Sequence, residues 1–255
     1  MTEACRYEVA DGVATLTLDR AQYRNALSAE LMDSLGDALS RAASDRSCRL
    51  VVLTNKGPVF SAGADLRPGS RPGRFRLFQI LSALYEFEKP VVARIAGDCY
   101  GGGVGLAAAC DLSVAARETT FGFTEVRLGV APAVISVVCL DKMRRGDALE
   151  LFLTGARFDA ERAVDVGLIT RAVERDELDG AVRDLTRALL AGAPGALRAA
   201  KRLVRDVPGM PRNEAFLHTT ELSEDLFSSD EAAEGRAAFA EHRLPLWARD
   251  DTVET

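Results

Sequence analysis

Apolar positions along the chain change period several times, and each change marks an element. Apolar and polar residues alternate over 6–9 and again over 13–18, with Asp11-Gly12 between them. That arrangement predicts a β-hairpin. Over 29–43 the period becomes helical, with Leu31, Leu35, Ala38, Leu39 and Ala42 on one face and Ser28 at the N-cap position. Residues 50–54 read as the next strand, and Val51-Val-Leu-Thr54 within them as buried. A helix is expected over 75–87, with Leu77, Leu81, Leu84 and Phe78 turned inward. Strands follow over 90–96 and 112–115. From Pro132 the pattern is helical over 132–140, 147–153, 160–166, 178–190, 194–204, 213–227 and 231–239, interrupted by an apolar run at 168–173 and by Pro208 and Pro211. Strands and helices alternate early and helices dominate late. The fold class is therefore α/β, with a core over 1–195 and a helical region over 196–255.

Two glycine turns stand out against this pattern. Tyr100-Gly-Gly-Gly-Val-Gly-Leu-Ala-Ala-Ala-Cys-Asp-Leu112 follows the strand at 90–96 and leads into an alanine-rich helix. Free N–H groups at a helix N-terminus, approached closely because glycine lacks a side chain, suit an anion or an oxygen that becomes negative during a reaction. A tight turn made only for packing reads the same way. Phe60-Ser-Ala-Gly-Ala-Asp-Leu66 is a second such turn after the strand at 50–54. Two turns of this kind could aim two N–H groups at one carbonyl oxygen, which is the geometry of an oxyanion hole.

Composition narrows the function. The chain has 255 residues, 47% apolar and 27% charged, with a net charge of −6. The negative charge gives no support to nucleic-acid binding. No apolar run is long enough to span a membrane, and the first residues lack the apolar core of a signal peptide. Cys5, Cys48, Cys99, Cys110 and Cys139 are scattered, with no CxxC pair, and read as reduced core thiols of a cytoplasmic protein. No His, Cys or Asp cluster has metal-ligand spacing, and no serine sits in a nucleophile elbow. Residues 67–76 carry Arg67, Arg71, Arg74 and Arg76 with two Pro-Gly pairs. They read as an exposed loop, or as a lid whose arginines meet phosphate or carboxylate.

In this order and spacing the motifs resemble the crotonase family, the enoyl-CoA hydratase/isomerase superfamily. The resemblance rests on Arg24-Asn-Ala-Leu27, the 60–66 turn, Lys89-Pro-Val-Val-Ala93, Gly101-Gly-Gly103 with Ala109-Cys-Asp111, and Phe121-Gly-Phe-Thr-Glu-Val-Arg-Leu-Gly129. Leu153-Thr-Gly155, Ala163-Val-Asp-Val-Gly-Leu168, Glu234-Gly-Arg-Ala-Ala-Phe239 and His242-Arg-Leu-Pro245 extend it over nearly the whole chain. It implies a spiral of ββα units and a C-terminal helical region that makes trimers, often paired into hexamers. It implies an acyl-CoA thioester as ligand and no cofactor beyond the CoA of the substrate. The thioester carbonyl would accept from the N–H groups of Ala64 and Gly102. Arg24, Ala26, Ala62, Gly63, Asp65 and Leu66 would border the CoA moiety, and Tyr100 and Gly103, at the glycine turn, would also bind the substrate.

The departures shape the function. Hydratases of the family place a glutamate two residues after the glycine triplet, where this chain has Gly105. The second family glutamate is present as Glu125. Relatives with other chemistry place an aspartate eight residues beyond it, where this chain has Ala133 within Ala131-Pro-Ala-Val-Ile-Ser136. This combination resembles the methylglutaconyl-CoA hydratase-like branch. Glu125 is therefore the expected acid–base residue; the alternative is an acid that favours a local helix dipole. Asp65 is expected to hold its loop and Asp111 to cap or pair. His218 and His242 lie in the helical tail, away from the chemistry unless a neighbouring subunit brings one near. Three functions stay open: hydration of a 2-enoyl-CoA, double-bond isomerisation with a single carboxylate, and non-catalytic CoA binding.

Overall fold

The structure is a computed structural model describing residues 3–67 and 72–248. Arg71 and the polar end from 249 onward lie outside the described residues.

The chain opens with β1 (Cys5–Ala10) and β2 (Val13–Leu18), an antiparallel hairpin. Asp11 and Gly12 both take positive φ, 49° and 78°, as a two-residue hairpin turn of the primed type requires. Then comes α1 (Ala29–Ser44). The Ser28 side chain accepts from the Leu31 N–H at 3.3 Å, and the five apolar residues on the expected face are all buried. The next elements are β3 (Leu50–Asn55), β4 (Val59–Ser61), α2 (Leu77–Tyr85), β5 (Val91–Ile95) and β6 (Asp98–Tyr100). They are followed by α3 (Gly102–Ala109), β7 (Leu112–Ala116), β8 (Thr120–Gly122), α4 (Ala133–Cys139) and α5 (Arg145–Thr154). After these come β9 (Arg157–Asp159), α6 (Ala160–Asp165), β10 (Arg171–Val173) and α7 (Leu178–Leu190). Three helices complete the described chain: α8 (Pro194–Asp206), α9 (Arg212–Ser228) and α10 (Asp230–Ala240).

The strands form two sheets. The larger has the order β1-β2-β3-β5-β7-β10 and is parallel from β2 onward. The smaller has the order β4-β6-β8-β9 and is parallel except for the last pair. Consecutive strands alternate between the sheets, β3 then β4, β5 then β6, β7 then β8, and a helix follows each pair. This is a spiral of ββα units. Parallel strands covered on both faces read as unbroken apolar runs, and β3 is buried at every position.

The main core lies among the sheets and α1 to α6, around Leu16, Leu31, Leu53, Phe60, Ile95, Phe121 and Phe123. A second, smaller core packs α7 on the outer face of the large sheet through Leu50, Val52, Val92, Val114, Leu178 and Val182. One inward assignment is corrected. Phe78 is 60% exposed, and Ile80 takes the buried position on α2.

The tail helices dock through polar contacts more than through apolar burial. Ala199 and Ala238 are the buried residues of α8, α9 and α10. Lys201 pairs with Asp111 at 2.8 Å. Glu231 accepts from Gly195 N–H at 3.0 Å and from Ala196 N–H at 3.3 Å, so it caps the start of α8. Arg49 donates to the carbonyls of Leu190 and Gly192 at 2.9 Å and to that of Trp247.

Candidate active site

β4, β6 and β8 lie side by side and parallel in the small sheet, and the segment leaving the end of each brings one polar group to the same place. Ligands collect at the carboxyl ends of parallel strands for this reason.

The segment after β4 supplies Ala64. It is held by a loop pinned at Asn25, which is fully buried at φ 48°. The Asn25 carboxamide donates to the carbonyls of Lys56 (3.1 Å) and Val59 (2.8 Å) and accepts from Arg20 N–H at 2.8 Å. Ser61 Oγ donates to the Asn25 carbonyl at 2.8 Å. Ala62 N–H then reaches the Arg24 carbonyl at 3.0 Å, and Leu27 N–H reaches the Gly63 carbonyl at 2.8 Å. Sequence reasoning gave Asn25 no role beyond its place in Arg24-Asn-Ala-Leu27, although an asparagine in a polar loop tolerates the left-handed conformation it adopts.

The segment after β6 supplies Gly102. α3 begins there, and all eight of its residues are buried. The two turns touch. Gly63 has φ 82°, and a Cβ on it would lie 2.9 Å from the Tyr100 carbonyl oxygen and 3.2 Å from the Gly102 nitrogen. Only glycine permits that approach. Among the described residues, neither the Ala64 N–H nor the Gly102 N–H donates to a protein acceptor. The far end of α3 is also cared for: Lys142 Nζ donates to the Cys110 carbonyl at 2.6 Å.

The segment after β8 supplies Glu125, in a 3-10 turn over Thr124–Leu128. Gly101, at φ 51° and ψ −121°, passes directly beneath its carboxyl. A Cβ there would lie 3.2 Å from Glu125 Oε1. Oε2 is buried and, among the described residues, has no hydrogen-bond partner. Burial raises the Glu125 pKa, opposed only by a bond to its own backbone N–H. A carboxyl so placed gives and takes a proton near neutral pH more readily than an exposed one. Two free N–H groups and one perturbed carboxyl thus converge around Gly101-Gly102.

The family model for enoyl-CoA hydratase/isomerase matches residues 8–250. The chain belongs to this family. It is 33% identical over 243 residues to a putative enoyl-CoA hydratase of Thermus thermophilus, covering 91% of this chain and 96% of the relative. It is 32% identical over 250 residues to a carnitinyl-CoA dehydratase of Salmonella typhi, covering 92% and 94%. Among solved structures, an enoyl-CoA hydratase of Mycobacterium smegmatis superimposes with a TM-score of 0.89 at 30% identity, covering 96% of this chain and 99% of that one. Membership makes the chain an enzyme of the hydratase/isomerase family and accounts for the spiral.

The remaining residues expected at an acyl-CoA site of this family separate into three groups. Arg24 and Leu66 are exposed beside the Ala64 turn, and Ala26, Ala62 and Asp65 are half-buried there. Asp65 holds its loop: it accepts from Arg67 N–H at 3.1 Å and from the guanidinium at 2.8 and 2.7 Å. Those bonds lower its pKa. Tyr100 and Gly103 face inward. The Tyr100 hydroxyl donates to Asp98 at 3.2 Å, and the Arg157 guanidinium lies over its ring. A Cβ on Gly103 would meet Ser61 at 2.7 Å, so Gly103 lets α3 lie against β4. Of the loop arginines, Arg67 is held by Asp65 and stacks on Tyr23, while Arg74 pairs with Asp37 at 2.5 Å over α1. Asp111 pairs as expected, accepting from Val91 N–H at 2.7 Å and from Lys201. His218 and His242 are exposed on the tail.

Proposed function

We propose that this enzyme adds water across the double bond of a 2-enoyl-CoA thioester. The observation that carries the reading is the Glu125 carboxyl seated against Gly101, one residue before the unpaired N–H of Gly102. In this reading the thioester oxygen accepts from Ala64 and Gly102, which draws electrons from the β-carbon and stabilises the enolate that forms on attack by water. Glu125 moves the proton. Arg24, Ala26, Ala62, Gly63, Asp65 and Leu66 border the CoA, and Tyr100 and Gly103 support the turn behind it. The exposed Phe216, Leu217, Phe227 and Phe239 of the tail favour a homotrimer or hexamer, and a stable monomer in light scattering at micromolar concentration would remove that part of the reading.

The acyl group is to be sought by a screen of straight and branched 2-enoyl chains. A carboxylated acyl group gains no support from Arg67 and Arg74, which already have carboxylate partners. The second reading, double-bond isomerisation by one carboxylate, is favoured by Gly105, which leaves Glu125 without a second acid on α3.

The deciding experiment follows loss of enone absorbance with crotonyl-CoA and branched 2-enoyl-CoAs, for the parent and for Glu125→Gln. The variant should lose at least about 10²-fold in kcat with CoA-ligand affinity retained. Equal rates for parent and variant on the best substrate would remove Glu125 from the mechanism. Conversion of 3-enoyl- to 2-enoyl-CoA without hydration would replace the first reading by the second.

A further inference from the structure

We propose that Ile135 is a specificity-determining residue: it closes the second turn of α3 to water and to any second acid, leaving Glu125 as the one proton carrier. The proposal deepens the hydratase reading and rests on its siting of the reaction beside Gly101.

Gly101, the residue before α3, and Gly105 lie one turn apart, and Gly105 N–H donates to the Gly101 carbonyl at 3.2 Å. The Glu125 carboxyl lies over Gly101. Ile135 of α4 lies over Gly105, one turn further on. A Cβ on Gly105 would stand 2.5 Å from Ile135 Cγ2, 3.0 Å from Ile135 Cβ and 3.5 Å from Leu81 Cδ1. The position of the missing family glutamate is therefore no vacancy: hydrocarbon fills it. Ile135 and Leu81 are each 3% exposed, so the wall is interior and close-packed rather than a mobile surface tip. A water lodged there would lack the two to four polar neighbours it needs.

The wall limits the chemistry. Water reaches the β-carbon from the Glu125 side. Its oxygen bonds to the β-carbon while the π pair shifts into the enolate. Its proton passes to the Glu125 carboxylate, and Glu125 then returns a proton to the α-carbon. One water is consumed, the carboxylate is regenerated, and H and OH add to the same face.

The test uses Gly105→Ala, Ile135→Ala, their combination, and Gly105→Glu with Ile135→Ala. Gly105→Ala alone should lower Tm by about 2–12 °C through overpacking. In the Ile135→Ala background, itself destabilised by the lost buried side chain, Gly105→Ala should cost little further Tm or raise it. Gly105→Glu with Ile135→Ala should hydrate crotonyl-CoA about 10-fold or more faster than Ile135→Ala alone. Its kcat/KM profile should gain a second carboxylate ionisation that the parent lacks. The proposal is overturned if Gly105→Ala matches the parent in Tm and activity. It is also overturned if the parent hydrates while the Glu-bearing variant, folded and binding CoA ligands, shows neither the gain nor the second ionisation. If the parent hydrates nothing and the Glu-bearing variant does, the hydratase reading fails and the role of Ile135 stands. If neither hydrates, the Tm pair decides on Ile135.

Discussion

Gly101→Ala tests whether the contact between Gly101 and Glu125 is the heart of the site. Two costs follow from the structure. Gly101 sits at φ 51° and ψ −121°, a region that residues with a Cβ enter at roughly 1–3 kcal/mol. The added methyl would also lie 3.2 Å from Glu125 Oε1, so the carboxyl must retreat by a few tenths of an ångström. Gly12→Ala supplies the control. Gly12 has φ 78°, and a Cβ there would meet Leu190 Cδ2 at the same 3.2 Å, but in the hairpin turn between β1 and β2. Both variants should lose about 2–12 °C in Tm, taking about 2–4 °C per kcal/mol for a chain of this size. Only Gly101→Ala should also lose activity. A displacement of 1 Å at a reacting group costs about 10²-fold, so a smaller shift should lower kcat/KM by roughly 10-fold. Thermal melts and enone-absorbance kinetics on the two proteins measure both effects. If Gly101→Ala keeps the parent kcat/KM while melting as early as Gly12→Ala, Glu125 does not act from the position it holds against Gly101.

Three further outcomes are expected. Ala64→Pro removes one N–H of the proposed oxyanion pair and should cost roughly 10²-fold or more in kcat, whereas Ala64→Ser keeps it and should be much milder; equal activity in two folded variants refutes the assignment. Glu125→Gln should be more stable than the parent at neutral and alkaline pH. Burial raises the folded pKa of Glu125 above the ordinary 4.5, so the parent loses stability as pH rises from about that value through the folded pKa, and the Tm advantage of the glutamine variant should close below it. A gap in Tm that widens toward acid would contradict this. Glu231→Gln weakens the carboxylate cap on α8 and should cost about 1 kcal/mol of stability without changing kcat; a loss of kcat would tie the tail to the chemistry.

Local signals were legible in sequence and non-local packing was not. Ser28 and the apolar stripe of α1 define a helix whose instructions lie within its own residues. Asp11-Gly12 defines its hairpin in the same way. The glycine triplet identified the turn into α3, because the backbone there needs conformations only glycine allows. The strand just before it, β6, spans three residues and shows no period over so short a stretch. Phe78 and Ile80 are both apolar and two residues apart on α2; which one faces inward is decided by where α3 and α4 lie. Asn25 acts through bonds to Lys56 and Val59, more than thirty residues away. Gly105 could be read as a missing acid, but the space filled by Ile135 depends on how α4 returns across α3.

That return leaves the two turns carrying the Ala64 and Gly102 N–H groups independent of what fills the next turn of α3. The Ala64 N–H depends on β4 and the loop around Asn25, and the Gly102 N–H on β6 and the start of α3. Both are fixed by main-chain bonds and by the close contact at Gly63, where no side chain beyond glycine fits. The acids belong to a different layer. Glu125 leaves β8, and the next turn of α3 is filled by α4, so exchanging Gly105 and Ile135 for a larger and a smaller residue need not disturb the contact between the two turns. A substitution at Gly63 carries no such freedom: its Cβ would push on the Tyr100 carbonyl and the Gly102 nitrogen together. In the proposed reaction, activation of the thioester thus rests on the backbone of the spiral, and the choice of proton carrier on side chains packed upon it.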